Sequence, residues 1–159
     1  MKIIISEIPT KTLYGKRIET SFGKQETSKL WRPFRIAINH SKNLNPTKFY
    51  SIQRYGKELK EVALSLDTPF EKCAAIDCKV EEILPDFEEI VLDGGVYAVF
   101  EHRGTPLDFQ NKLQDFMQNW LPKSGYELDT RNHFETFDEK YDPFSDNSVE
   151  LVWIPIIKV

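Results

Sequence analysis

The sequence predicts an α+β domain of two pseudo-symmetric β-α-β-β repeats, with antiparallel sheets, two helices packed on them and a ligand cleft between the repeats. Three observations predict it. Strand-like stretches alternate with two amphipathic stretches of helical period, and the order of elements in the first half recurs in the second. Two pairs of segments also match: LYGKRIE (13–19) with VYAVFEH (96–102), and KFYSI (48–52) with HFETF (133–137). Their offsets, 83 and 85 residues, make one domain over 1–159, with a first repeat over about 1–83 and a second over about 84–159.

The elements follow in order. Residues 2–8 and 12–20 read as strands separated by a turn at Pro9. From Thr27 to Asn39, Leu30, Trp31, Phe34, Ile36 and Ile38 form an apolar helical face, with Ser28 as the cap and Pro33 a kink unless it falls in the first turn. Strands are expected at 47–55, 73–80 and 87–92, and after the Gly94-Gly95 turn at 96–102. Thr105 caps a second helix with Pro106 at its first position. Leu113, Phe116, Met117, Trp120 and Leu121 lie on one stripe before Pro122 and Gly125 end it. The last strands are 133–137 and 149–159, separated by an acidic stretch, 138–146, that reads as a solvated loop.

Composition removes several functions. With 159 residues and a net charge of −4, the chain lacks the basic stripe of a nucleic-acid binder, and Lys11, Lys16 and Arg17 are too few to supply one. The N-terminal apolar run is too short for a signal peptide and no stretch spans a membrane, so a cytoplasmic protein is expected. Cys73 and Cys78 lack a second pair or spaced histidines, and they read as ordinary thiols. His40, His102 and His133 are scattered, with no nucleophile triad, metal cluster or phosphate loop; no metal or cofactor is expected.

The residue that draws attention is Glu135, an acid between Phe134 and Phe137. Two-residue alternation puts it on one face with His133 and Phe137, while Phe134 and Thr136 point the other way. A buried carboxylate there needs a partner, and a ligand cation is one candidate; a solvated edge glutamate is the plainer alternative. Aromatic faces hold delocalised cations by stacking and quadrupole attraction, worth about 0.5–2 kcal/mol per contact. The segment matching equates Tyr50 with Glu135 across the pseudo-two-fold axis, a ring in one half facing a charge in the other. Trp31 and Trp120 fit core positions as well as ligand platforms, Tyr14 and Tyr97 fit structural positions as well as the cleft lining, and Trp153 reads as core or rim.

The chain resembles the GyrI-like effector-binding family, whose domain occurs alone in gyrase-inhibitory proteins and behind DNA-binding domains in AraC-type and MerR-type multidrug regulators. The resemblance rests on IPTKTLYGKR, KLWRPF, FYSIQRY, GGVYAVFEHRG, NWLPKSGYEL, HFETF and VELVWIPI, in order along nearly the whole chain. It implies two strand-helix-strand-strand repeats around a cleft for bulky lipophilic cations. It also implies that Glu135 is the acidic ligand contact and that Trp31, Tyr50 and Phe109 stack on the ligand; Phe137, on the face of Glu135, completes the candidate set. A family tyrosine falls at about Asn147, where this chain departs from the pattern.

The expected function is therefore a stand-alone small-molecule binder, sensing or sequestering aromatic cations rather than catalysing a reaction. Two alternatives stand beside it. One is a hydrolase of cyclopropane-containing alkylators, with Glu135 as general base and Tyr50 assisting. The other is a gyrase-inhibitor-like interaction module with a regulator or gyrase as protein partner.

Overall fold

The structure, a computed structural model, describes residues 1–24, 26–55, 66–141 and 148–159. Asn147 and most of the acidic loop lie outside the described residues. Nine strands and two helices are described: β1 (Ile4–Ile8), β2 (Lys11–Thr20), α1 (Thr27–His40), β3 (Lys48–Arg54), β4 (Phe70–Ile76), β5 (Glu88–Leu92), β6 (Gly95–Arg103), α2 (Pro106–Asp115), β7 (Tyr126–Leu128), β8 (His133–Asp138) and β9 (Val149–Lys158). All pairings are antiparallel and the order is β1-β6-β9-β8-β3-β4-β2-β5, with β7 on the far end of β9. This is the α+β fold that the strand and helix patterns predict.

Three local expectations are corrected. Helix α1 starts after Glu26 without a side-chain cap, so Ser28 lies inside it, and Pro33 sits within the helix. Strand β4 spans Phe70–Ile76 rather than 73–80, because its core-facing residues are Cys73, Ala74, Ala75 and Ile76, and a 3₁₀ turn takes over at Val80–Glu82. Strand β7 was not expected, since three residues are too few to display a period. Helix α2 begins as its sequence suggests: the Thr105 hydroxyl accepts from Asp108 N (3.3 Å), while the Asp108 carboxylate accepts from Thr105 N (3.0 Å).

The repeat is present with a different offset. Strand β1 starts at Ile4 and β5 at Glu88, and β2 starts at Lys11 and β6 at Gly95; both pairs are 84 residues apart. The two halves meet where β3 pairs with β8, and there Ser51 lies directly opposite Glu135, also 84 residues away. A two-fold axis through that pair runs perpendicular to the sheet and keeps every side chain on its own face, which demands an even offset. Odd offsets of 83 and 85 flip faces. Tyr14 and Tyr97 are therefore not counterparts, nor are Tyr50 and Glu135; Glu135 answers to Ser51. Along β4 and β9 the offset drops to 78, because Tyr50 pairs with Ala75 while its counterpart Phe134 pairs with Trp153. Lys72 thereby answers to Glu150.

Each half lends its leading strand to the other: β1 pairs with β6, and β5 pairs with β2. Only Pro9 and Thr10 separate β1 from β2, although the two lie near opposite ends of the strand order, so the sheet curls until its wings meet. The inner face so closed holds one cluster from both wings, including Leu13, Tyr50, Ile90, Tyr97, Val99 and Phe134, each at most 4% exposed. Trp153 stacks on Phe134 there at 5.1 Å and 11°. The outer face carries both helices, α1 over β2 and β4, and α2 over β6. Under α1 pack Tyr14, Leu30, Phe34, Ile38, Phe49 and Ile76; under α2 pack Phe100, Phe116, Val152 and Ile154, with Trp120 half-buried beside them. Among the described residues no helix is long and apolar enough to cross a membrane.

Gly15 marks the tightest point of the curl. A Cβ there would stand 1.8 Å from the Ala74 carbonyl oxygen, which no flexible side chain can relieve. Gly15→Ala should therefore lower unfolding stability by more than about 2 kcal/mol in a urea melt; a loss within about 0.5 kcal/mol would mean that β2 and β4 are not so close.

Candidate functional site

Between the two helices, the outer face of β3 and β8 carries a polar strip rather than an apolar one. Alternation along β3 presents Phe49, Ser51 and Gln53 outward, and along β8 it presents His133, Glu135 and Phe137; β4 adds Lys72 and β9 adds Glu150. Glu135, at the centre, is half-buried. Gln53, 5% exposed, donates through Nε2 to Glu135 Oε1 (3.4 Å) and to Ser51 Oγ (3.0 Å). Lys72 Nζ donates to Thr27 Oγ1 (3.3 Å) at the first turn of α1.

At the centre of this face, among the described residues, two carboxylates stand near one ammonium. Burial pushes the Glu135 carboxyl up to about 8, with the neighbouring Glu150 charge adding to the rise and Lys72 and Gln53 opposing it. Burial raises Glu150 to about 7, against a hydrogen bond from Tyr141 and the charge of Lys72. Burial also holds Lys72 below the ordinary lysine value although both carboxylates favour its charge. Desolvation thus outweighs attraction at all three groups. His133, pushed down to about 4 by burial, is neutral at physiological pH, and its Nε2 has no partner. The Tyr55 hydroxyl, raised by burial and by Glu135, stays protonated.

Rings border the strip on both sides. On the α1 side Trp31, Phe137 and Tyr141 form a half-buried series, with centroids 5.2 Å apart for Trp31–Phe137 and 4.5 Å for Phe137–Tyr141. At the far end Tyr55 meets His133 edge-on at 5.1 Å and Phe70 at 4.9 Å. On the α2 side Phe109 stands half-buried against His102 at 5.3 Å. His102 pairs in register with Glu150, is 3% exposed and leaves Nδ1 unpartnered.

Of the five residues singled out from sequence, the structure brings Glu135, Phe137 and Trp31 together and sets Phe109 on the opposite helix. It does not bring Tyr50 to them. The pairing Tyr50–Thr136 turns that ring to the inner face, where it is 4% exposed and packs on Phe134 at 6.2 Å. The pair Glu135–Tyr50 therefore cannot act on one substrate atom. Lys72, Glu150 and Gln53 were missed. Their signal was available: on an outward-facing position of an otherwise apolar strand, each breaks the alternation. Two shallow depressions near the C-terminal end of α1, of about 240 Å³ (Ala37, His40, Leu84, Phe87) and about 370 Å³ (Arg35, Ile38, Asn45, Glu139), include none of these polar groups. Among the described residues no cluster of His, Cys, Asp or Glu is placed to hold a metal ion, and Cys73 and Cys78 are free thiols.

Solved structures share the fold. A putative bacterial transcription regulation protein from Staphylococcus aureus MU50 aligns with 98% of this chain and 98% of its own at 17% identity and a TM-score of 0.67. The structure of SAV2435 bound to tetraphenylphosphonium aligns with 99% of this chain and 94% of that one, at 17% identity and a TM-score of 0.69. The EcmrR chain in its complex with DNA aligns with 99% of this chain, which spans 58% of that one, at 15% identity and a TM-score of 0.72. No curated protein sequence matches. The family of GyrI-like small molecule binding domains matches residues 1–157. With the match running through both halves and both helices, the chain belongs to the GyrI-like small molecule binding domain family.

Proposed function

We propose that the strip between α1 and α2 is the small-molecule site, that its ligands are lipophilic aromatic cations, and that the protein senses or sequesters them. The observation that carries this reading is the charge imbalance at the centre of a half-buried face: among the described residues Glu135 and Glu150 stand there against Lys72, with Trp31, Phe137 and Phe109 exposing ring surface beside them. A hydrated inorganic ion gains little from such rings. A weakly hydrated organic cation gains stacking, quadrupole attraction and a carboxylate at low dielectric. Tetraphenylphosphonium, the ligand bound to the structural neighbour SAV2435, has this chemistry. Ring stacking has little directionality, so one site can hold molecules of several shapes.

In this reading Glu135 is the central anion, Trp31 and Phe137 form one wall, Phe109 belongs to the other, and Tyr50 supports β3 from behind. Gln53 fixes the Glu135 carboxylate. The hydrolytic alternative loses Tyr50 as the partner of Glu135, since that ring lies on the inner face. We infer that the output is occupancy itself, read by sequestration or by a protein partner, in the cytoplasm.

Tetraphenylphosphonium carries no titratable proton, so any pH dependence of its binding belongs to the protein. Affinity measured by calorimetry should rise as pH climbs from about 6 to about 9, by up to about tenfold per unit for each proton displaced. Glu135 and Glu150 become anions in that range, while His133 and Tyr55 stay neutral. At about pH 8.5 Glu135→Gln should weaken binding at least about tenfold, or about 1.4 kcal/mol; equal affinity of variant and wild type sinks the proposed role. The same substitution should change stability with the opposite sign. Because the folded carboxyl lies near 8 and an unfolded one near 4.5, the native state holds the extra proton and loses stability as pH rises through that window. The melting temperature of Glu135→Gln should therefore gain on the wild type between pH 5 and about 9, and a constant difference would show that Glu135 is not desolvated.

A further inference from the structure

The two-fold axis through Ser51 and Glu135 equates positions that carry opposite charges. Lys72, on β4, corresponds to Glu150, on β9, and the two flank the central pair from either side on the outer face. Among the described residues, the outward strand positions flanking that pair carry two carboxylates and one ammonium, with the Arg35 guanidinium further off, over the Phe49 ring at the α1 edge. Among the described residues, no ion pair joins Lys72 to either carboxylate; its hydrogen bond goes to Thr27 Oγ1 on α1, and it acts on Glu135 and Glu150 through the desolvated strip. Gln53, paired in register with Lys72, occupies the ground between it and Glu135 and donates to the carboxylate.

From this arrangement we propose that Lys72 is a specificity-determining residue that sets the charge of the ligand: with its ammonium in place the site takes organic monocations and rejects dications. The inference rests on the strip being the cation site. One added positive charge balances the two carboxylates against Lys72. A second added charge has no anion left and meets the Lys72 ammonium inside a half-buried face, where like charges repel far more strongly than in water. In the empty protein a proton supplies the balance, which agrees with the upward displacement of both carboxyls. Removing the lysine charge leaves two carboxylates for the ligand alone. Preference should then pass to dications.

In FEKCAAI the alternation marks Lys72 only as a break in an apolar face and says nothing of its neighbours. Its role emerges from the register, which places it on the helix side with Gln53 and His133 in one cross-strand row.

The test uses two fluorescent phenanthridinium dyes with the same ring system, ethidium with one positive charge and propidium with two. For wild-type protein at about pH 8.5, ethidium should bind at least about tenfold more tightly than propidium. In Lys72→Gln the ratio should fall at least about tenfold, chiefly through tighter propidium binding, while Lys72→Arg, which keeps the charge, should retain the wild-type ratio. Lys72→Met serves if the glutamine variant does not fold, as judged by circular dichroism. An unchanged ratio in both neutral variants, with ethidium binding still dependent on Glu135, overturns the inference and leaves the site reading standing. Failure of wild type to bind either dye, or ethidium binding indifferent to Glu135→Gln, overturns the site reading and this inference with it.

Discussion

The antiparallel ladder between β3 and β8 is the constraint on which the rest depends. It is the seam of the two halves, and its register puts Ser51 opposite Glu135. Everything on either side is determined by that pairing: which residues of β3 and β8 meet the helices, which are sealed in the inner core, and where the axis falls. A slip of one residue would turn Phe134 and Tyr50 out to the helices and drive Glu135 into the closed inner face, at the cost of a buried, unpaired carboxylate. The inner cluster, with Trp153 stacked on Phe134 and Tyr97 against its edge, holds the register where it is.

Much of this arrangement is legible in the sequence, and for definite reasons. Strands with strict alternation, such as HFETF, announce both their type and their faces, and Thr105-Pro106 with Asp108 announces the start of α2. The position of Glu135 on a face with Phe137 and His133 follows from alternation alone. The register between halves does not. Similarity of LYGKRIE to VYAVFEH is a match of letters, and aligning tyrosine with tyrosine gives an odd offset that ignores faces; the strand pairing supplies the parity that the letters lack. Tyr50 entered the candidate set through that alignment and through family resemblance, and the strand pairing turns it inward. Strand β7 escaped notice because a three-residue strand takes its identity from its partner β9 rather than from its own pattern.

The polar strip contradicts the usual division of a sheet into an apolar and a solvated face. Both faces of this sheet are covered, one by the curl and one by helices, and between the helices stand half-buried groups that gain nothing from burial: Glu135, Glu150 and Lys72. The apolar residues under each helix, Phe34 and Ile38 on one side and Phe116 and Ile154 on the other, provide enough stability to carry them. Destabilised charges beside a stable scaffold are a reservoir of binding energy, since a complementary ion relieves the strain that folding imposes.

The exchange of β1 and β5 has a mechanical side. The two links that cross from wing to wing, Pro9-Thr10 and Asp93-Gly94, run together, and the Thr10 hydroxyl accepts from Gly94 N at 3.0 Å. Arg131 braces the same corner, donating to the carbonyls of Gly94, Val96 and Ile156. A chain whose halves were joined once could open like a hinge about that joint. Here the halves are joined twice at the rim and once along the seam, so the frame behaves as a clasp that is already shut. On the proposed reading of the strip, a guest of any girth would meet a floor held from both rims, and the fit would fall to the side chains above it rather than to a parting of the walls.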